Sequence, residues 1–337
     1  MNIALVVTSI SAPNDVMRGL AEGCTTNGVR FIVIGDEKSP ADFELQNCEF
    51  FSIEDQIASG LKFAAECPTR HYSRKNIGYL LAIKSGAEII VETDDDNFPY
   101  ADRFWSSFER SQEVAVDDSA GWVNVYRYFT DANIWPRGFK LDAIRDGVVE
   151  FETLEQRRID CPIQQGLAND DPDVDAIYRL VDGGAVTFRD DRRVALTRGW
   201  CPFNSQSTRW WRDAFPLMYL PSYCPFRMTD IWRSFVAQRI AREYGWGVLF
   251  HEPHVWQERN VHDLIKDFAD EVPGYLNNGR LCEILDALNL SNGDIADKMR
   301  ACYSALLDAD IFKPEEMQLL EIWFAEVRGL MDEWPRI

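Results

Sequence analysis

Two short apolar runs open the chain, "NIALVVTSI" and "GVRFIVIGDE", each closing in polar or turn residues, with room between them for one helix. That order predicts a βαβ unit. Further on, Ser73 is placed to cap a helix running to about Ser85, Gly86 is its stop, and "AEIIVET" follows as another strand. Strands alternating with helices predict an α/β fold on a doubly wound, mostly parallel sheet, whose ligands bind beyond the carboxyl ends of the strands. "AGWVNVYR" (119–126) reads as a further strand, 130–172 as turn-rich loops shaping a pocket, 228–244 as a helix and "GWGVLFHEPHVWQ" as a strand. After about residue 270 the periodicity is purely helical, in "LCEILDALNL", "DIADKMRACYSALLDA" and "PEEMQLLEIWFAEVRGLM". The expected division is a catalytic domain at 1–270 and a C-terminal helical subdomain at 271–337.

The formal charge of −20 removes one class of partner: nucleic acid and anionic membrane surfaces need clustered Lys and Arg. Any anionic ligand must be met locally. No run is as long as a membrane span, and "MNIALVVTSISAPND" lacks a basic leader, reading as a mature first strand and a cytoplasmic chain. The eight cysteines include no C-x-x-C pair, which suits reduced thiols better than disulfides or zinc.

The candidate chemistry lies at the end of "AEIIVETDDDN". Asp94, Asp95 and Asp96 repel one another unless something positive sits among them, and clustered carboxylates at a strand end favour a hard cation, Mg²⁺ or Mn²⁺, that shares its other positions with phosphates. The bland alternative has Asp96 or Asn97 capping a helix near Tyr100. Arg74 and Lys75 tip the balance: cations in a helix's first turn oppose its dipole, and a nearby anion rationalises them. A second acidic stretch, "QQGLANDDPDVDAIYRL", carries Asp170, Asp171, Asp173 and Asp175 without the glycine and final glutamate of a calcium loop, so it reads as a turn lining a polar pocket. "RGWCPFNSQSTRWW" offers Trp200, Asn204 and Gln206 to stack on and hydrogen-bond a sugar, with Trp210 and Trp211 as core. Asp230 opens a helix, either as a dipole partner or as a general base. His71, His251, His254 and His262 have no regular metal spacing, which disfavours zinc.

The ordered set "VIGDEKSP", "SRKNIGYLLAIKSGAEIIVETDDDN", "GLANDDPDVDA", "CPFNSQ", "TDIW" and "PHVWQER" resembles GT-A glycosyltransferases, and more closely the STELLO proteins and the reversibly glycosylated polypeptides that act as UDP-arabinopyranose mutases. The resemblance covers about residues 2–265. It implies a metal-dependent transferase using a nucleoside-diphosphate sugar, UDP-linked, with a glycan or other hydroxyl acceptor and Mn²⁺ or Mg²⁺ as cofactor. Asp94 and Asp96 would hold the metal; Thr8, Asp36, Arg74, Asp94, Asp95 and Arg259 the nucleotide; Asn204, Asp173 and Arg227 the substrate. Asp230 would deprotonate the acceptor, giving inversion. The mutase pattern ends its late strand in a metal-binding histidine, and ungapped counting puts Gln257 at that position and Arg259 at the lysine that follows. His254 is taken as the third ligand, with His251 and Gln257 as alternatives. Two rivals remain: a nucleotide-sugar mutase, in which Arg137 of "WPRGF" would matter, and a silent interaction protein keeping the fold.

Overall fold

A computed structural model describes residues 1–106, 108–258 and 263–331. The strands are β1 (Ile3–Thr8), β2 (Arg30–Ile34), β3 (Glu49–Phe51), β4 (Ile89–Thr93), β5 (Asn97–Pro99), β6 (Ser111–Asp117), β7 (Glu155–Asp160), β8 (Ile163–Asp170), β9 (Val194–Leu196), β10 (Ser207–Trp211) and β11 (Val248–Gln257). They form one sheet in the order β3-β2-β1-β4-β10-β8-β11-β9-β6-β7, with β5 on β11. The first four strands are parallel, the doubly wound arrangement read from the sequence; beyond β4 the sheet is mixed, beginning with antiparallel β10.

Both faces of the parallel part are buried, and β1 makes the reason visible. Ala4 and Val6 enter one core with the helix Lys75–Lys84, while Leu5 and Val7 enter another with the helix Asp15–Asn27. Asn14 caps that second helix by accepting from the Met17 amide, and Gly28 ends it at φ +64°, where a side chain would be strained. The C-terminal helices Leu264–Ala287, Ile295–Asp308 and Glu315–Leu330 share the larger core through Leu281, Tyr303 and Trp323. Among the described residues no helix is long and apolar enough to cross a membrane.

Several local expectations need correction. Residues 119–126 form no strand: Gly121 at φ +81° breaks the extended run, Trp122 makes a single bridge to Trp200, and Tyr126–Phe129 is a helical turn. The expected loops at 130–172 contain β7 and β8. Strand β8 escaped notice because Gln164 and Gln165 are polar yet buried, satisfied by the carbonyls of Glu109 and Cys161 and by Asn204. The helix of residues 75–84 is preceded by a tight turn, Tyr72–Arg74, and the capping acceptor is the His71 ring, which takes the Ser73 amide, instead of the Ser73 hydroxyl. Residues Asn97–Pro99 pair with β11, so no helix is capped by Asp96 or Asn97.

Candidate functional site

Register brings the chemistry to one edge. Thr8 pairs with Ile34, and Val6 with Glu92, so the ends of β1, β2 and β4 deliver Thr8, Asp36 and Asp94–Asp96 side by side. Antiparallel β10 starts where β4 ends, Ser207 opposite Thr93, which brings Asn204 and Gln206 to the same edge; Gln257 ends β11 there too. These groups, with Arg137, Asp171, Asp173, Arg227 and Asp230, line one cavity of about 550 Å³.

Something positive does sit among the carboxylates, and it is Lys75. Its fully buried ammonium donates to Asp94 Oδ1 (2.9 Å), the Thr93 carbonyl (2.6 Å) and the Tyr72 hydroxyl (2.7 Å). Asp95 is held by the Ser9 hydroxyl, and its carbonyl by Asn14. Asp96 accepts from Gln257 Nε2 at 2.6 Å, while the Gln257 carbonyl oxygen accepts from Gln206. Among the described residues, Lys75 meets this group through Asp94. Burial, then Asp94 and Asp95, push the Asp96 carboxyl up to about 7 against the Gln257 hydrogen bond; burial and Asp94 raise Asp95 against Ser9. Three adjacent, partly buried carboxylates offer the oxygen ligands that a hard divalent cation takes, and such a cation would oppose the upward push on Asp96.

Across the cavity, Arg137 is buried and forks between two acids. It meets Asp173 at 2.7 and 3.0 Å and Asp230 at 3.0 Å, and Asn204 Nδ2 donates to Asp173 at 2.8 Å. Asp230 lies in the first turn of the helix Thr229–Glu243. Burial disfavours its charge, but the Arg137 charge and hydrogen bonds, then Arg233 and the Ser205 amide, outweigh that and hold the carboxyl below its ordinary value. Arg227 lines the cavity while its guanidinium is anchored by buried Glu271 from the C-terminal helices.

Thr8, Asp36, Asp94, Asp95, Asp96, Asp173, Asn204, Arg227 and Asp230 therefore meet in one cleft. Arg74 borders it, but its guanidinium is occupied by Gln56 Oε1 and the Cys67 carbonyl, so the structure gives the carboxylates to Lys75 instead. Asp175 is the buried cap of a short helix, accepting from the Tyr178 amide and Trp135. Trp200 is core, its face under Arg242 and its Nε1 on Asp286, and stacks on nothing in the cleft. Arg259 and His262 lie outside the described residues.

His254 is not brought to the carboxylates. It is buried with its ring against Gly166 and 4.9 Å from the His251 ring. His251, Glu252 and His254 do present ligand atoms within 4.8 Å of one another, and among the described residues neither Nδ1 atom has a hydrogen-bond partner. Yet both Glu252 oxygens are taken by Arg193, and burial, then Arg209, hold both rings far below the ordinary histidine range, with Arg193 acting in the same direction. Burial is the larger cause and leaves the rings neutral; what weighs against a cation here is that the Glu252 carboxylate is already paired with Arg193. Tyr72 and Ser205 are the residues sequence reasoning passed over; Lys75 was read there only with Arg74, as a pair of cations at a helix start before an acidic strand end.

Among known families, the model of the STELLO glycosyltransferases matches residues 227–337. Two Arabidopsis thaliana proteins, named Probable glycosyltransferase STELLO1 and STELLO2, are then 25% and 29% identical over 99% of this chain. The resemblance read from the ordered motifs is thus present along the chain, which spans less than half the length of these relatives (45% of each). Among solved structures, glucosyl-3-phosphoglycerate synthase from Mycobacterium tuberculosis in complex with Mn²⁺, UDP-glucose and phosphoglyceric acid aligns over 82% of this chain and 79% of that chain, at 11% identity and a TM-score of 0.41.

Proposed function

We propose that this cleft binds a nucleoside-diphosphate sugar, UDP-linked, with Mg²⁺ or Mn²⁺, and transfers the sugar to a hydroxyl acceptor with inversion. The observation that carries the reading is the convergence of three crowded carboxylates with Asn204, Asp173 and Asp230 in one cavity at the carboxyl edge of the parallel strands. Asp94 and Asp96 would hold the cation, with Gln257 beside them able to offer its carbonyl oxygen if the amide turns over. When bound, the cation offsets the charge of the departing diphosphate.

The remaining roles fall to the chain itself. Thr8, Asp36 and Asp95 would flank the nucleotide; Asn204, Asp173 and Arg227 would orient the sugar. Asp230, ionised at neutral pH because Arg137 holds it so, would take the acceptor hydroxyl proton as the acceptor oxygen bonds to the anomeric carbon and the bond to the diphosphate breaks. The mutase alternative asks for an available Arg137, whereas here its guanidinium is buried and shared among Asp173, Asp230 and the Arg227 carbonyl. That favours transfer.

Calorimetry with UDP tests the reading. UDP should bind in Mn²⁺ or Mg²⁺ and lose its affinity in EDTA, because three carboxylates otherwise face a diphosphate. Equal affinity in both media overturns the metal-dependent site, and no nucleotide binding at all would favour a silent interaction protein. Incubation of a UDP-sugar without acceptor then separates transferase from mutase: an isomerised nucleotide sugar identifies the mutase.

A further inference from the structure

The Tyr72 hydroxyl lies within hydrogen-bond reach of three groups: Lys75 Nζ (2.7 Å), Asp94 Oδ1 (2.7 Å) and Ser205 Oγ (2.6 Å). Lysine only donates, so Tyr72 accepts from it and has a single proton to give. Burial, then Asp94, keep that proton on the phenol. Ser205 is also buried and also has one proton, with Tyr72 Oη at 2.6 Å and Asp230 Oδ2 at 3.3 Å as its acceptors. Two arrangements place a proton in the 2.6 Å contact between Tyr72 and Ser205, which two oxygens that close require. In the first, Ser205 donates to Tyr72 and Tyr72 to Asp94. In the second, Tyr72 donates to Ser205 and Ser205 to Asp230.

We infer that Tyr72 and Ser205 form a two-position relay that couples cation occupancy at Asp94–Asp96 to the hydrogen bonding of Asp230. The inference rests on the proposed metal site. A cation drawing on Asp94 competes for the electron density of Oδ1, which Lys75 and Tyr72 share in the first arrangement, so loading the site favours the second. Asp230 then gains a hydroxyl donor on the oxygen that already accepts from the Ser205 amide. No bond is made or broken; two hydroxyl rotors turn. By linkage, whatever weakens Asp230 as an acceptor also weakens the loaded state of the carboxylates. Tyr72 and Ser205 are positioning residues, since they act through Asp94 and Asp230.

The test is a double-mutant cycle on Mn²⁺ affinity in the presence of UDP, measured by calorimetry for Asp230→Asn, Tyr72→Phe, Ser205→Ala and the two pairs containing Asp230→Asn. One relay hydrogen bond corresponds to roughly a three- to tenfold change in affinity. Asp230→Asn should weaken Mn²⁺ binding in the parent chain by a direct Coulomb part plus this coupled part, and the coupled part should vanish in either relay-deficient background. A merely structural role for Tyr72 gives single effects that multiply, and multiplication in both cycles overturns the inference. Ser205→Ala leaves Tyr72 and Lys75 in place, so it decides the matter if Tyr72→Phe fails to fold. A parent chain that binds no Mn²⁺ with UDP overturns the functional reading and the relay with it, whereas Mn²⁺ binding with multiplicative effects removes the relay alone.

Discussion

Two clusters of metal-ligating side chains lie in this molecule, and they differ in the charges around them. Asp94–Asp96 set three carboxylates at the rim of a cavity, with buried Lys75 on Asp94; His251, Glu252 and His254 bring their ligand atoms within 4.8 Å of one another in the interior, beside Arg193 and Arg209. The first cluster pushes a carboxyl up to about 7 and so holds a proton in excess; the second drives both imidazoles down and refuses one. Residue type and proximity by themselves favour the histidine group, which among the described residues is the set whose three ligand atoms lie within 4.8 Å of one another. Burial comes first in both groups; the flanking guanidinium groups then weigh against a cation at the histidines, and the adjacent carboxylates weigh for one at the cavity edge.

The largest test of that contrast sets Asp96→Ala against His254→Ala. Asp96→Ala should cost about 100-fold or more in Mn²⁺-dependent UDP affinity, roughly 3 kcal/mol. His254→Ala should destabilise the fold by about 2–4 kcal/mol as a large-to-small core change, yet leave the Mn²⁺ affinity of the folded protein within about twofold. Calorimetry beside urea unfolding reads both. A Mn²⁺ affinity that collapses in His254→Ala reverses the assignment.

Lys75→Met sharpens the same point from the side of the cation. Removing the ammonium that donates to Asp94 beside Tyr72 should lower stability by about 1–3 kcal/mol, a figure discounted because the Asp94 side chain is about a third exposed (31%). The crowded acids then gain more from an added cation, so Mn²⁺ with UDP should raise the melting temperature of the variant more than that of the parent. Equal shifts would mean that Lys75 contributes only packing.

Much of this contrast was hidden in the sequence for identifiable reasons. Strands β1, β2, β4 and β11 and the helix Thr229–Glu243 were legible because their apolar runs end at clear turn signals. Arg74 and Lys75 were legible as a pair near an anion, but neighbours on a helix turn point about 100° apart, so only the fold tells which one faces Asp94 and which one faces Gln56. On β11 the period-two rule fails locally: register shifts between His251 and Pro253 and again between Pro253 and Val255 each add one residue, so the parity is displaced between them and returns only from Val255 onward. Counting therefore cannot say whether His254 or Gln257 reaches the edge, and the structure gives that place to Gln257. Trp200 looked like a sugar platform because an aromatic beside Asn204 is the same sequence whether it faces a cleft or a core.

The smallest effect to be expected is a pH dependence that isolates the field at the histidines. His251 and His254 are held far below the ordinary histidine range in the fold, by burial first and Arg209 second, and return to about 6.5 when it unfolds. Above pH 6.5 both states are neutral and the contribution of these rings to stability is fully present. Below it the unfolded chain binds protons that the folded chain refuses, so stability falls as the pH falls, by up to about 1.4 kcal/mol per pH unit for each ring. Asp95, Asp96 and Asp175 act oppositely in the same window: their folded values are raised, Asp96 to about 7 and Asp175 to about 6, so the fold holds more protons than the unfolded chain and acid stabilises it. The parent curve is the difference of two opposing slopes and is uninformative by itself. His254→Leu removes one ring and none of the acids, so from pH 6.5 to pH 5 the variant should lose about 1.5 kcal/mol less than the parent, whatever the acids contribute. Urea unfolding of both proteins across that range makes the measurement. Parallel curves would mean that His254 takes up its proton in the folded state, and the guanidinium field that sets the buried cluster apart from the carboxylate edge would no longer be the reason for their difference.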